Sequence, residues 1–312
     1  MPLLARWRYA LKPGSWPKLL VAAALGQAIG IGATGSVDPI ALALGLLLVV
    51  FNLGFIVLLN DWGDQEVDAL KRRIVGDLCS PKTIPDGVLD ATSVLVGGLG
   101  AGALTLAVAA TAEHVLGRPG LTLASAASLL IFVAYTLPPL RLNYRGGGEV
   151  LEMIGVGFAL PWLSAYLQSG VAMPRGIVVL PAFALMCLAS ALASGLADEQ
   201  SDRLGGKRTF TTLFGPTSVR QAAEGLVLGA ILVWAALPIL ASDVAAIWMV
   251  VPVVLVMAVD YRELRKQALL SDPEEDLTHR AYKERLHDCV WRGALVLALV
   301  LIVTGILRGG IG

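Results

Sequence analysis

The sequence predicts an all-α fold: a polytopic membrane protein of about nine transmembrane helices surrounding a central cavity. Three observations carry that reading. Hydrophobic residues make up 56 % of the chain and charged residues 15 %, against about 25 % charged in soluble domains. With a mean hydropathy of +0.73, a chain of this size has more apolar surface than one soluble core hides. Apolar runs of membrane-crossing length recur along it, and its basic residues fall almost entirely in alternate connections between them. Soluble, disordered and nucleic-acid-binding classes are excluded together, and the formal net charge of +0 implies no polyanionic partner.

A hydrocarbon core about 30 Å thick needs about 20 apolar residues in a helix. Nine segments qualify, at about 18–36, 38–59, 87–112, 120–137, 150–168, 174–197, 221–241, 244–259 and 290–307, the eighth being the shortest. The first follows Arg6, Arg8, Lys12 and Lys18, but its apolar run is long for a signal peptide, so it is read as a span. No ten-residue alternating strands appear, and backbone groups in lipid must be bonded internally, so the spans are helices. With the N-terminus inside, 21 of the 24 lysines and arginines lie in inner segments; Arg118, Arg175 and Arg308 lie outside. That bias puts the N-terminus in the cytoplasm and the C-terminus out.

Residues 1–312 read as a single integral-membrane domain. The inner connections, at about 60–87, 138–149, 198–220 and 260–289, hold nearly all the polar chemistry. In the last, Ser271 to Glu275 reads as a helix start. Tyr282, Leu286 and Val290 follow at helical spacing, so an amphipathic interfacial helix is expected. Gly97, Gly98, Gly100 and Gly102 read as sites of close helix packing. Three scattered cysteines (Cys79, Cys187, Cys289) and three histidines (His114, His279, His287) make neither a disulfide framework nor a zinc site.

The second span ends in Asn60-Asp61-Trp62-Gly63-Asp64-Gln65-Glu66-Val67-Asp68. On a continuous helix, positions 60, 64 and 68 share a face and 61 stacks near 64 and 68. Carboxylates so close repel unless a cation joins them, and oxygen-only donors suit Mg²⁺ before Zn²⁺. The plain alternative is an acidic helix end that marks the membrane interface. A second cluster, Asp198-Glu199-Gln200-Ser201-Asp202-Arg203, ends the sixth span and runs into Gly205-Gly206-Lys207-Arg208-Thr209. Mg²⁺ takes phosphate oxygens as further ligands, and Lys207 and Arg208 suit the same phosphates. Acids, bases and glycines at one membrane surface read as a diphosphate site. Between the fourth and fifth spans, Pro138 and Pro139 end a helix and Gly146 to Gly148 free the backbone. Arg141 and Arg145 there suit a phosphate, and Glu149 a helix N-terminus; the alternative is an interfacial loop with snorkelling arginines.

N-D-x-x-D-x-x-x-D after one span and D-x-x-x-D with a following G-K-R-T after another resembles the UbiA superfamily of intramembrane prenyltransferases, over essentially the whole chain. The resemblance implies Mg²⁺ as cofactor, held with the diphosphate of an isoprenoid donor. Asn60, Asp61, Asp64 and Asp68 match the first motif, and Asp198 and Asp202, with Lys207 and Arg208, match the second. Asp64, Asp68, Asp198 and Asp202 are the expected catalytic set. The stretch Tyr135 to Glu149 is similar to the Y-x-x-P-P-x-R-L-x-x-R-G-x-G-E segment of the naphthoate (menaquinone-type) branch, which implies an acceptor side built from Tyr135, Arg141, Asn143 and Glu149. One loop departs from the pattern. Many relatives carry an R-P-x-R-P-I-P-S-G run where this chain has Lys71 to Gly87, so Lys71, Arg72 and Lys82 are expected to contact diphosphate with altered spacing. Asn60-Asp61-Trp62 with Glu66-Val67-Asp68-Ala69 is similar to the chlorophyll-synthase side of the superfamily.

The expected function is therefore Mg²⁺-dependent prenyl transfer from a polyprenyl diphosphate to an aromatic acceptor, a quinone precursor such as 1,4-dihydroxy-2-naphthoate. The site would face the cytoplasm from a lipid bilayer, the inner membrane if the cell is prokaryotic. Lys207, Arg208 and Arg145 would help neutralise the leaving diphosphate. Rival readings are a membrane terpene cyclase sharing the same ionisation apparatus, prenyl transfer to another lipid acceptor, and an ion-coupled transporter. The transporter predicts acidic residues near span midpoints, whereas these aspartates lie at span ends.

Overall fold

The computed structural model describes residues 1–270 and 276–309, and every regular element among them is helical. A short amphipathic helix, α1 (Leu3–Leu11), precedes α2 (Pro17–Thr34) and α3 (Pro39–Gly63). After a break comes α4 (Gln65–Val75), then α5 (Ala91–Leu116) and α6 (Leu121–Thr136). The fifth apolar segment is α7 (Gly148–Ile154), a π turn over Gly155–Ala159 and α8 (Leu160–Ser169). It is followed by α9 (Leu180–Leu196), α10 (Glu199–Leu204) and α11 (Phe210–Phe214). The chain ends with α12 (Pro216–Leu240), α13 (Ile247–Leu270) and α14 (Asp276–Gly309).

Seven of these segments are long and apolar enough to cross a bilayer, which makes the chain an integral membrane protein. The fourth and eighth expected spans are helices of a different kind. α6 has 16 residues, about 24 Å of helix, shorter than a full hydrocarbon core. α13 begins apolar but ends in Arg262-Glu263-Leu264-Arg265-Lys266, so its second half is polar.

The apolar helices close a ring in chain order, in which α14 packs on α2 and α2 also packs on α8. Small residues allow that closure. A Cβ at Gly305 would lie 2.7 Å from Gly32 Cα, and one at Gly26 would lie 2.1 Å from the Pro161 carbonyl oxygen. The expected glycine seam on α5 is present in part: Gly97 meets Trp7, Gly98 meets Leu59 and Gly102 meets Phe55, but Gly100 has nothing within 4 Å. Glycines at positions 97, 98, 100 and 102 cannot all face one neighbour on a helix of 3.6 residues per turn. The π turn has a local cause as well, because Pro161 has no N–H to give the Gly157 carbonyl.

Two sequence expectations change. The amphipathic helix expected in the last inner connection is the beginning of α14, and Tyr282, Leu286 and Val290 are buried in the main core rather than lying along an interface. The proposed helix start at Ser271–Glu275 lies outside the described residues. The first acidic motif is not one continuous helix either, since the chain breaks at Asp64 (φ −105°, ψ 10°) between α3 and α4.

Arg118 donates to the carbonyls of Leu116 and Leu167, and Arg175 pairs with Asp243 in a region that Arg308 also lines. The three basic residues expected on the outer side thus gather at one end of the ring, opposite both acidic motifs.

Candidate active site

Both acidic motifs occupy helix breaks of the same form. In the first, Asp64 stands between α3 and α4, and the Asp68 N–H donates to the Asp64 carbonyl at 2.8 Å. In the second, Asp198 (φ −116°, ψ 0°) stands between α9 and α10, and the Asp202 N–H donates to the Asp198 carbonyl at 2.9 Å. Each break carries two aspartates four residues apart, and Lys207 bridges one from each motif. α4 and α10 then pack against one another where Gly205 meets Val67; a Cβ at Gly205 would lie 2.4 Å from Val67 Cγ2. Gly206, at φ +71°, makes the turn after α10 in a conformation that L side chains rarely adopt. That turn brings the Lys207 N–H to the Asp202 carbonyl at 2.8 Å.

Lysines interleave the carboxylates. Lys207 Nζ lies 2.7 Å from Asp64 Oδ2 and 3.8 Å from Asp202 Oδ1, joining the two motifs directly. Lys71 reaches across from α4 to Asp198, Lys82 pairs with Asp68, and Lys12 pairs with Asp61. Thr83 Oγ1 donates to Asp61 Oδ2 at 2.5 Å. Asn143 Nδ2 stands 3.4 Å from Asp64 Oδ1, while its own Oδ1 is buried with no partner among the described residues. The sequence argument that these carboxylates repel unless a cation joins them is met here by lysine ammonium groups. Among the described residues no three acidic, cysteine or histidine side chains form a ready cage for a metal.

The electrostatics follow from burial. Desolvation lifts the Asp202 carboxyl to about 6, with Lys207 opposing and Asp64 adding to the rise. Burial works against the charged form of Lys207, but the Asp64 and Asp202 carboxylates outweigh it and hold the ammonium above the ordinary lysine value. A buried carboxylate that is costly to ionise, beside others of its kind and an orphaned amide oxygen, suits a hard divalent cation. The donor set is all oxygen and contains neither sulfur nor imidazole, which fits Mg²⁺.

The remaining sequence-predicted residues divide. Asn60 and Tyr135 line a cavity of about 280 Å³ that runs into the ring beneath the motifs, bounded by Leu53, Ile56, Phe132 and Leu160. Arg72 does not face the carboxylate cluster: its Nε and Nη2 bind Asp86 at 2.7 and 2.5 Å, clamping the loop before α5. Arg145 and Arg208 are exposed. Arg141 donates to the Gly63 carbonyl at 2.5 Å and stacks 3.7 Å over the Tyr144 ring. It does so from a left-handed backbone (φ +43°), so it braces the α3–α4 break. Glu149 accepts from the Phe210 N–H at 2.7 Å, which fixes α7 to α11.

Sequence reasoning used Lys12 only as a topology marker and did not assign Thr83; both contact Asp61. It also left the Lys18–Glu152 ion pair, which lines the cavity, without a place. Their signal is a charge at the edge of an apolar run, which the inside-positive bias absorbs on its own.

Fold and site together define a polytopic membrane protein whose ionisable chemistry is gathered at one end of its helix ring, above an apolar cavity. Residues 19–275 match the UbiA prenyltransferase family, and the chain belongs to that family. Among curated relatives it is 25 % identical over 232 residues to chlorophyll synthase of Arabidopsis thaliana, covering 71 % of this chain and 57 % of the relative. It is 28 % identical over 242 residues to 1,4-dihydroxy-2-naphthoate octaprenyltransferase of Escherichia coli K12, covering 72 % and 73 %. The chain thus spans under two thirds of the chlorophyll synthases it matches. In fold it is similar to a UbiA homolog from Archaeoglobus fulgidus bound to DMAPP and Mg²⁺, with a TM-score of 0.70, 18 % identity and coverage of 94 % and 99 %.

Proposed function

We propose that the chain catalyses Mg²⁺-dependent transfer of a prenyl group from a polyprenyl diphosphate to an aromatic acceptor, with a quinone precursor such as 1,4-dihydroxy-2-naphthoate as the leading candidate. The observation that carries the reading is the pair of opposed, lysine-laced aspartate breaks standing over an apolar cavity. A diphosphate lies in that cluster while its chain enters the cavity below. Membership of the UbiA family, the naphthoate prenyltransferase likeness and the archaeal fold neighbour bound to DMAPP and Mg²⁺ support it.

Asp64, Asp68, Asp198 and Asp202, with Asn60 and Asp61, would hold Mg²⁺, which supplies charge neutralisation for the departing diphosphate. Lys71, Lys82 and Lys207 exchange their carboxylate partners for phosphate oxygens and so stabilise charge where it develops. The prenyl C1–O bond breaks and its electron pair leaves with the diphosphate. Phe132 and Tyr135, stacked with centroids 5.6 Å apart beside the cavity, offer ring faces to the allylic cation. The apolar walls exclude water from it. A nucleophilic ring carbon of the acceptor attacks C1, and the ring then sheds the group carried at that carbon to regain aromaticity. The site faces the cytoplasm, which in a prokaryote is the inner side of the cell membrane. Residues 1–312 act as one membrane domain.

Purified protein supplied with Mg²⁺ and a long-chain prenyl diphosphate releases diphosphate and prenylates dihydroxynaphthoate in preference to 4-hydroxybenzoate or homogentisate. A cyclic hydrocarbon formed without any acceptor identifies a cyclase instead.

A further inference from the structure

The apolar band around the ring is uneven in height. α3 carries no charged residue between Pro39 and Asn60, and the chain carries none between Arg175 and Asp198, which includes all of α9. Each of these offers about 30 Å of uncharged helix, the thickness of a hydrocarbon core. α13 is uncharged only from Ile247 to Val259, and α14 only from Gly293 to Leu307, about 20 Å each. Contacts with α9 set the height of that boundary. His279 Nδ1 lies 3.1 Å from the Leu196 carbonyl oxygen, and His287 Nε2 lies 3.5 Å from that of Ser190. The two helices therefore run in opposite directions in step, and Arg292, a turn beyond His287, stands level with the middle of α9. On this side of the ring the charged surface descends about 20 Å below Asp198.

These charges face outward, on the stripes that elsewhere meet lipid. Leu255, Val259, Arg262 and Lys266 are exposed at helical spacing along α13, as are Arg292, Leu295 and Leu299 along α14. The acids on this face are already engaged. Glu263 pairs with Lys266 at 2.7 Å, and the buried Glu224 of α12 pairs with Arg265. Asp260, 2 % exposed, meets Arg292 at 3.2 Å and Arg285 at 3.5 Å through the same Oδ1. One buried carboxylate thus serves two guanidinium groups, each with five N–H donors, and the Arg292 side chain is 57 % exposed. Arg262 has no hydrogen-bond or ion-pair partner among the described residues. The excess on the outward face is cationic, and it lies at a depth where neighbouring helices are wholly apolar.

We propose that the outer face of α13 and α14 is a docking surface for anionic phospholipid, whose headgroup phosphates bind Arg262, Arg285 and Arg292 in the leaflet on the side of the acidic motifs. Guanidinium groups left bare at that depth in hydrocarbon are costly, and phosphate oxygens match their paired N–H donors. A helix pair with a short apolar band draws the headgroup layer inward and thins the bilayer beside it, and basic residues at such a boundary favour anionic lipid. A second copy of the chain fits less well, because a two-fold contact sets each arginine near its own kind. A soluble partner does not reach a surface that lies below the inner ends of α3 and α9. The face lies on the outside of the ring, apart from the candidate active site.

The test is native mass spectrometry of the full-length protein from neutral detergent, titrated with phosphatidylglycerol or with phosphatidylcholine of the same acyl chains. Wild type binds phosphatidylglycerol roughly tenfold more tightly than phosphatidylcholine. The double variant Arg262→Gln/Arg292→Gln loses that preference and keeps its phosphatidylcholine binding. Arg175→Gln/Arg308→Gln removes the same charge from the opposite end of the ring and leaves the preference intact. Arg262→Gln alone breaks no contact among the described residues and weakens phosphatidylglycerol binding severalfold, so the test survives if the Arg292 substitution fails to fold. Equal binding of the two lipids by wild type, or a preference indifferent to Arg262 and Arg292, overturns the docking surface. An equal loss in the Arg175/Arg308 control reduces the effect to net charge and overturns it as well. Displacement of the lipid by soluble glycerol phosphate at the same concentration assigns the arginines to free phosphate, and a dimer in wild type that the double variant abolishes assigns the face to a second copy; either result overturns the lipid surface.

Discussion

The two aspartate motifs share a backbone plan and differ in their surroundings. Around the α3–α4 break, Asp61, Asp64 and Asp68 are buried, at 2 %, 5 % and 7 % exposure, and each is held by a partner from a distant segment: Lys12, Lys207 and Lys82. Around the α9–α10 break, Asp202 is buried, but the Asp198 side chain is 35 % exposed and, among the described residues, pairs with Lys71 alone. The first motif is thus a fixed floor and the second a more open wall. The proposed reaction needs one side that opens to admit a charged donor and release diphosphate, and the exposure of Asp198 favours the second motif for that side.

The largest expected effect tests the floor. Asp64→Ala removes the carboxylate that Lys207 and Asn143 share and lowers diphosphate release by roughly 10³-fold or more, with the protein still extractable and folded. Asp198→Ala, on the open side, lowers it by about 10²-fold. Equal losses would erase the distinction between the two motifs, and wild-type turnover in both would remove the proposed site.

Lys207→Ala comes next. It deletes the cation that joins the motifs and raises the donor KM by about tenfold, the scale of one charge-assisted contact. An unchanged KM would mean that Lys207 joins the two breaks without touching phosphate.

Gly205→Val tests their packing. The new side chain collides with Val67 and separates α4 from α10, costing about 1–3 kcal/mol, read as a lower Tm in detergent. Val67→Ala in the same chain recovers part of it.

The smallest effect concerns the loop clamp. Asp86 is buried enough to resist ionisation, yet Arg72, Tyr9 and the Lys82 N–H together hold its carboxyl below the ordinary carboxylate value. A lowered folded value means stability that is full at neutral pH and is lost as pH falls through it. Asp86→Asn therefore lowers stability by about 1 kcal/mol at pH 7, and the difference from wild type shrinks in acid. A difference that persists at low pH would mean that the pair is not what holds the loop.

The basic residues illustrate how far one-dimensional reading reaches. Type and position suit Arg72, Arg145 and Arg208 equally to diphosphate, but in the structure Arg72 clamps Asp86 while Arg145 and Arg208 are exposed. The same grounds suit Lys71, Lys82 and Lys207, which do reach the carboxylates. Sequence spacing fixes which residues lie at the membrane surface, but the direction of a long side chain depends on a partner tens of residues away. Lys207 and Asp64 are 143 positions apart, and no periodicity encodes such a pair.

Some properties of the chain are fixed by the sequence alone. Apolar runs in a solvent without hydrogen-bond partners must become helices, and the distribution of charge orders their ends, so the helical class, the gathering of both motifs at one end and the family were legible at once. Tertiary structure decided the rest. Glycine seams set which helices touch, because backbone approach depends on the facing residue as well as the glycine. The breaks at Asp64 and Asp198 turned two helix ends into opposing acidic faces. The groove beneath α1 arises only when α1 and α14, from opposite ends of the chain, flank the same space. A cavity is the volume that packing leaves unfilled, and it has no residue sequence of its own.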